Sequence, residues 1–237
     1  MKKELIIALD FKNRAETEKF LEVFQEEKPF LKVGMELFYS EGPAIIKALK
    51  EKGHRIFLDL KCHDIPNTVK RSMAVLAGLG VDLVNVHAGG GIKMMEAAVE
   101  GLEEGAFGKR PLCIAVTQLT SISPEILSEE LLVSHDLKET VLHYARNARK
   151  AGLDGVVCSP LEAGMIKADI GQDFITVTPG IRLKDSAQDD QVRITTPLEA
   201  RELGSDYIVV GRPITRAKDP LAIYRQMKAQ FTGEESL

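Results

Sequence analysis

The sequence lacks the features that mark a membrane, secreted or disordered protein. No run approaches the ~18 consecutive apolar residues of a membrane span. The N-terminal stretch MKKELIIALDF is too briefly apolar for a signal peptide, because Asp10 interrupts it. No segment is of low complexity, and 44% of the 237 residues are hydrophobic, enough for a sizeable core. We therefore expect a cytoplasmic protein that does not associate with membranes.

Cysteine is scarce and positive charge is not in excess. Cys62, Cys113 and Cys158 form no CxxC pair, and each lies in or beside an apolar run, so we expect reduced thiols. The net charge of −4 argues against a nucleic-acid binder, which normally carries a basic surface. A small anionic substrate stays possible, because local lysines and arginines matter more than the total charge.

Short runs rich in Val, Ile and Leu, typical of buried parallel strands, recur along the chain. They begin at Glu4, Phe30, Arg55, Val81, Leu112, Gly155, Phe174 and Tyr207. Helical patterns separate them, and two of these, GPAIIKALKEKG and TVKRSMAVLAGLG, end in a glycine typical of helix C-termini. The first run ends in ALDF and not in the glycine fingerprint of a Rossmann fold. This alternation, with no break in composition, predicts a single (β/α)8 barrel domain over residues 1–237.

Two connections are long for such a barrel. LTSISPEILSEELLVSHD follows the fifth predicted strand, and IRLKDSAQDDQVRITTP follows the seventh. The second connection is polar and lacks periodicity, which is typical of a loop that closes over a site.

Polar and turn residues collect where the predicted strands end, which is where (β/α)8 enzymes hold their active sites. They are Asp10, Lys32, Asp59, Lys61, His87, Thr120, Ser159, Pro179 to Arg182, Gly211 and Arg212. Unpaired buried charge is costly. The carboxylates and lysines around this mouth are therefore expected to pair with each other or with a ligand.

The stretch FLDLKCHDIPNTV, residues 57–69, holds the densest group of charges. Asp59 and Lys61 are two positions apart on a strand and therefore share the face that looks into the barrel mouth. Pro66 disfavours helix at the preceding residue and suits the first helical position, so Ile65 is expected near the N-cap of the next helix. Asp64 lies beyond the strand and could simply favour the positive end of that helix.

The residues alone leave three interpretations of this stretch open. Asp59 and Lys61 could be an ion pair that closes the top of the core, or the stretch could form an active site. A metal site is the third, with oxygen and nitrogen ligands from Asp59, Asp64, His63 and His87. It is disfavoured, because Lys61 already supplies the positive charge that a divalent ion would bring.

Two further segments predict a phosphate site. In IVVGRPIT, Gly211 lets the backbone approach a ligand and Arg212 offers a forked donor. In TPGIR, Gly180 shapes a turn and Arg182 is a second candidate donor. Barrel enzymes frequently bind phosphate between the loops that follow strands seven and eight. The alternative is a pair of tight turns with solvated arginines.

These motifs together resemble the orotidine 5′-phosphate decarboxylase family. Asp59-x-Lys61-x-x-Asp64 followed by IPNT resembles its signature, and the matching segments ALD, LKVG, VTQLTS, TPGIR and VVGRPIT occur in the expected order along the chain. The DxKxxD core alone is shared with related phosphosugar decarboxylases and aldolase-like enzymes. The continuation HDIPNT and the two C-terminal segments make the resemblance specific.

The resemblance implies a homodimer that converts orotidine 5′-monophosphate to UMP and carbon dioxide in de novo pyrimidine biosynthesis, with no cofactor and no metal. It implies that Lys61 donates the proton to C6 of the pyrimidine, in a network with Lys32, Asp59 and Asp64. It also implies that Asp64, Ile65 and Thr68 reach the site across the dimer interface. The remaining implied substrate contacts are Asp10 and Lys32 to the ribose, Thr120 to the pyrimidine, and Pro179, Arg182, Gln191, Gly211 and Arg212 on the phosphate side.

Two other functions stay open at this point. A metal-assisted decarboxylase or aldolase of a sugar phosphate would use the same DxKxxD core and would lose activity in EDTA. A non-catalytic nucleotide-binding barrel would bind without turnover, but it gains little from a lysine held between aspartates. Barrel folds by themselves fix no function.

Overall fold

The computed structural model describes residues 3–184 and 195–234. Its strands form a closed parallel barrel in sequence order, in which β8 pairs with β1, and the predicted (β/α)8 barrel is confirmed. The strands are β1 Glu4–Leu9, β2 Phe30–Gly34, β3 Ile56–Cys62, β4 Leu83–His87, β5 Leu112–Val116, β6 Gly155–Val157, β7 Ile175–Thr178 and β8 Tyr207–Val210. The helices are α1 Arg14–Leu21, α2 Met35–Glu41, α3 Pro43–Glu51, α4 Pro66–Gly78, α5 Gly91–Gly105, α6 Leu137–Lys150, α7 Pro160–Ile170, α8 Pro197–Glu202, α9 Arg212–Thr215 and α10 Pro220–Thr232.

Local sequence signals explain where several helices begin. Pro66 is the first residue of α4 and Ile65 is its N-cap, as predicted. Ser159 caps α7 in a reciprocal capping box with Glu162, so this strand-end serine has a structural role. The apolar run that begins at Phe30, FLKVGM, predicts a strand through Met35, but β2 ends at Gly34 and α2 begins immediately after it.

The strands separate two apolar clusters. The inner cluster fills the barrel and consists of Ile6, Ala8, Phe30, Phe57, Leu83, Ile114, Ile175, Val177, Tyr207 and Val209. The outer cluster packs the other strand faces against the helices and includes Leu58, with Leu60 packed against it. Because side chains alternate along a strand, the next inward positions on β2, β3 and β4 are Lys32, Asp59 and Asn85. A polar layer therefore sits on the apolar filling at the carboxyl ends of these strands.

The opposite end of the barrel carries a repeated aspartate. Asp82, Asp154 and Asp206 immediately precede β4, β6 and β8. Each carboxylate accepts a hydrogen bond from a backbone N–H at the start of the preceding strand, and these donors are Ile56, Cys113 and Thr176. Each also pairs with a cation, and these partners are Lys50, Arg110 and Lys167. The repeat ties alternate strand pairs together at the end remote from the polar layer.

Membrane insertion was excluded in the sequence by the absence of long apolar runs. Of the helices in the two described ranges, none combines the length and the apolar character needed to cross a bilayer.

Candidate active site

The predicted charge cluster forms at the mouth of the barrel. Lys61 Nζ lies 2.6 Å from Asp59 Oδ1, and Lys32 Nζ lies 3.3 Å from Asp59 Oδ2. Lys32 Nζ also lies 3.4 Å from Asp10 Oδ1. The four side chains stand on β2, on β3 and directly after β1, and they form one chain of alternating charge. Each of the two lysines therefore has a carboxylate beside it, as expected for charges at the edge of a core.

Asp59 is the centre of this cluster and is almost completely buried, with 7% of its surface exposed. Burial raises the pKa of the Asp59 carboxyl, but Lys32, Lys61 and the hydrogen bond from Asn85 outweigh burial. The net pKa is lower than the usual value for aspartate. Asp59 is therefore an anion at neutral pH, and it holds positive charge on both sides of itself.

Lys61 has an unusual backbone conformation. Its φ is +51°, in the left-handed region that non-glycine residues avoid. Such a conformation costs about 1–2 kcal/mol for a residue with a side chain. It occurs where the pairing of β3 with β4 is interrupted between Leu58 and Cys62. Strain of this kind persists only where the surrounding structure holds it, and it is frequent at functional sites.

Asn85 on β4 joins the cluster and was missed in the sequence. It is 1% exposed, it donates from Nδ2 to Asp59 Oδ1 at 2.6 Å, and it accepts the Lys61 backbone N–H at 2.8 Å. The signal was available: in LVNVH the asparagine is two positions after the inward Leu83, so it belongs to the same inner face. A polar residue on the inner face of an apolar strand requires a partner within the barrel.

Two glycines make room for Asp10 beside Lys32. A Cβ atom on Gly34 would lie 3.1 Å from Lys32 Nζ, and one on Gly211 would lie 3.3 Å from Asp10 Oδ2. Both distances are tighter than ordinary van der Waals contact. Gly211 therefore brings the backbone after β8 directly against the charge cluster, which connects the cluster to the predicted phosphate segments.

The predicted phosphate segments follow β7 and β8. Pro179 comes directly after β7, and the side chain of Arg182 is buried at 8% exposure and donates to the Ile181 carbonyl at 2.9 Å. The Arg182 backbone N–H donates to Thr195, which closes the base of the long loop. Gly211 and Arg212 begin α9. The remaining candidate of this group, Gln191, lies outside the described residues.

Four predicted substrate contacts lie at the surface of the chain. Asp64 and Thr68 flank the start of α4 and are exposed, and Ile65 is 66% exposed. The Asp64 carboxylate accepts the backbone N–H of Ile65 at 2.6 Å. Among the described ion pairs, Asp64 does not take part in the cluster around Asp59. Thr120 is also exposed, in the turn that follows β5.

The histidines near the cluster form a pair. The rings of His63 and His87 lie 5.5 Å apart between centroids. Burial lowers the pKa of His87, and the neighbouring His63 and Lys61 lower it further. In the part of the chain that the structure describes, no three His, Cys, Asp or Glu side chains come together as a metal site.

The geometry agrees with comparisons to known proteins. A family model described as "Orotidine 5'-phosphate decarboxylase / HUMPS family" matches residues 3–227. The chain belongs to this family. The assignment confirms the family resemblance found in the sequence and identifies the chain as a carboxy-lyase.

Relatives named orotidine 5′-phosphate decarboxylase match almost the full length of this chain. One from Bacillus cytotoxicus is 60% identical over 235 residues, which are 98% of this chain and 99% of the relative. One from Geobacillus sp. (strain WCH70) is 57% identical over 237 residues, with 99% of both chains covered. The crystal structure of orotidine 5′-phosphate decarboxylase from Lactobacillus acidophilus is 44% identical, has a TM-score of 0.87, and covers 97% of this chain and 99% of its own.

Proposed function

We propose that this enzyme decarboxylates orotidine 5′-monophosphate to UMP and carbon dioxide in de novo pyrimidine biosynthesis, without a metal or cofactor. The observation that carries the proposal is the Lys61 ammonium, 2.6 Å from the buried Asp59 carboxylate at the barrel mouth. The names of the relatives support the choice of substrate. The cytoplasmic location predicted from the sequence stays a prediction.

The chemistry explains why a lysine belongs there. Breaking the bond from C6 to the carboxylate leaves an electron pair on C6 in the plane of the ring, where the π system does not delocalise it. A fixed positive charge beside C6 stabilises that pair as it develops. Lys61 then transfers a proton from Nζ to C6, carbon dioxide leaves, and solvent returns a proton to the lysine.

The other members of the charge cluster have supporting roles in this proposal. Asp59 and Asp64 flank the reacting carboxylate, and Lys32 balances Asp59 on the side away from Lys61. Asp10 and Lys32 hold the ribose, and Thr120 contacts the pyrimidine. The ion pairs of Asp59 support metal independence, because both of its carboxylate oxygens already face ammonium groups. A divalent ion would have to displace one of them.

The proposed active unit is a homodimer that shares each site across its interface. Asp64, Ile65 and Thr68 stand on the surface of a single chain, next to the end of the strand that carries Lys61. In that assembly Asp64 of one subunit approaches the Lys61 of the other.

Turnover of orotidine 5′-monophosphate in EDTA tests this function against its metal-dependent alternative. We expect the substrate absorbance to fall rapidly at about neutral pH, with equal rates in EDTA and in added magnesium. Loss of activity in EDTA, restored by magnesium, would favour a metal-assisted sugar-phosphate enzyme with the same DxKxxD core. Tight nucleotide binding with no turnover in either condition would indicate a non-catalytic binder.

Arg212→Ala tests the phosphate side, where Pro179, Arg182, Gln191 and Gly211 are the other proposed contacts. We expect kcat/KM to fall by about 10–100-fold, since a hydrogen bond to a charged group contributes about 1.5–3 kcal/mol. The Kd for UMP should rise by a similar factor. Uridine, which has no phosphate, should bind the variant and the unmodified enzyme equally. Unchanged kcat/KM would contradict the assignment of Arg212 to the phosphate.

A further inference from the structure

The pairing of β3 with β4 contains a bulge that surrounds a single residue of β4. Leu58 pairs with Val84, and the register resumes where Cys62 pairs with Val86. Asn85 alone therefore stands opposite the three residues from Asp59 to Lys61. A bulge leaves backbone groups of the longer strand without their hydrogen-bond partners on the neighbouring strand. It also changes the direction of the side chains within the bulge.

Asn85 replaces the partner that the bulge removes. Its side-chain oxygen accepts the Lys61 N–H at 2.8 Å, at the residue whose φ is +51°. A left-handed residue departs from the regular pleat of a strand, so the exact direction of its side chain depends on what holds its backbone. The hydrogen bond to Asn85 thus holds the backbone geometry that sends Lys61 toward the barrel mouth.

The same amide also orients the carboxylate beside Lys61. Asn85 Nδ2 donates to Asp59 Oδ1 at 2.6 Å, the oxygen that Lys61 Nζ contacts at the same distance. Asp59 Oδ2 is left to face Lys32 at 3.3 Å. The amide cannot be reversed, because its oxygen would then face the carboxylate and its nitrogen would face an N–H donor.

We propose that Asn85 is a positioning residue, whose single buried amide sets both the backbone of Lys61 and the carboxylate of Asp59. This inference rests on the proposed role of Lys61 as the proton donor. A bulge that served only the fold would need a partner for its backbone N–H alone. The second hydrogen bond, to the side chain of Asp59, matters for the direction of the Lys61 ammonium.

Two substitutions test this role. Asn85→Leu has a similar size and removes both hydrogen bonds. We expect kcat to fall by about 10²-fold, the effect of a misplacement of about 1 Å in a catalytic group. The Kd for UMP should change little, because UMP carries no carboxylate at C6. Thr176→Val is the control, since it removes buried hydrogen bonds at the opposite end of the barrel and should leave kcat unchanged.

The pH profile of the Asn85→Asp variant distinguishes a positioning role of Asn85 from a role in stability alone. The introduced carboxyl keeps an acceptor for the Lys61 N–H but places a second acid against Asp59, so one of the two pKa values rises. At low pH the protonated carboxyl can donate to Asp59 as the amide does. Activity should approach that of the unmodified enzyme there, and should fall about tenfold per pH unit above the raised pKa. Lys32 and Lys61 contact Asp59, His87 interacts with it electrostatically, and all three are unchanged in the variant.

The outcomes distinguish this inference from the function on which it rests. If the unmodified enzyme does not decarboxylate orotidine 5′-monophosphate, both the proposed function and the proposed role of Asn85 are wrong. If it does, a pH profile of Asn85→Asp parallel to that of the unmodified enzyme overturns the role of Asn85 alone. A folded Asn85→Leu with unchanged kcat does the same. Should Asn85→Leu fail to fold, the pH profile of Asn85→Asp decides.

Discussion

Lys61→Ala is expected to lower kcat for decarboxylation of orotidine 5′-monophosphate by at least about 10⁴-fold. The substitution removes two contributions at once, the fixed charge beside C6 and the proton that C6 receives. Loss of one electrostatic group typically costs about 10²–10³-fold, and loss of a general acid about 10²–10⁴-fold. Asp59 is left beside the reacting carboxylate with Lys32 as its remaining ammonium partner in the described cluster, which adds repulsion at the site.

The measurement is the single-turnover rate, compared with the Kd for UMP, so that chemistry and binding are separated. Lys50→Ala is the matched control, because it also removes a lysine paired with an aspartate, 2.8 Å from Asp82 at the remote end of the barrel. That control should keep its kcat. If Lys61→Ala retained more than about a hundredth of the activity, Lys61 would not be the proton donor.

The same variant tests the shared site of the proposed dimer. Lys61→Ala and Asp64→Ala should each be inactive alone. If Asp64 acts across a two-fold interface, a mixed dimer holds one site with both residues intact. An equimolar mixture, exchanged at low concentration, should then regain about a quarter of the original activity. If mixing restores no activity, Asp64 acts within its own chain or the protein is not a dimer.

Much of the site could be predicted because its residues obey local rules. Asp59 and Lys61 are two positions apart in a strand, and Leu58 and Leu60 pack outward as that spacing requires. Pro66 determines where α4 begins, with no need for tertiary information. The eight apolar runs are short and β-branched, so their alternation with helices was readable across the whole chain.

The bulge could not be predicted in the same way. The left-handed φ of Lys61 depends on how β3 pairs with β4, and a lysine carries no local signal for that conformation. Asn85 was overlooked for a related reason, since its importance appears only when its partners on the neighbouring strand are known. Helix α2 was missed because it is only seven residues long and follows Gly34 with no side-chain cap to mark its start.

The aspartate repeat at the remote end also could not be predicted from the individual strands. Asp154 and Asp206 directly precede predicted strands, and Asp82 lies inside the run predicted from Val81, but all three carboxylates bond to the strand before. These contacts join residues 26 to 41 positions apart. Their effect is on stability, because they lie away from the mouth where the charge cluster sits.

Asp206→Ala is expected to lower the free energy of unfolding by about 3–5 kcal/mol, the typical cost of breaking a buried ion pair. The side chains of Lys167 and Asp206 are 6% and 10% exposed, with 2.5 Å between Lys167 Nζ and Asp206 Oδ2. Without the carboxylate, the buried ammonium keeps only the Gln172 carbonyl, 3.0 Å away, among its described hydrogen-bond acceptors. The Thr176 N–H also loses its bond to the carboxylate, which is 2.8 Å long.

The repeat supplies its own control for this prediction. Asp82→Ala removes an equivalent carboxylate, but Asp82 and Lys50 are 28% and 31% exposed, so water compensates and the cost should be about 1–2 kcal/mol. Urea unfolding at one fixed protein concentration measures both, which holds any contribution of a dimer constant. The double variant Asp206→Ala with Lys167→Met should recover part of the loss, because the stranded charge is gone. Equal losses for Asp206→Ala and Asp82→Ala would show that burial of the ion pair does not determine the contribution of this aspartate.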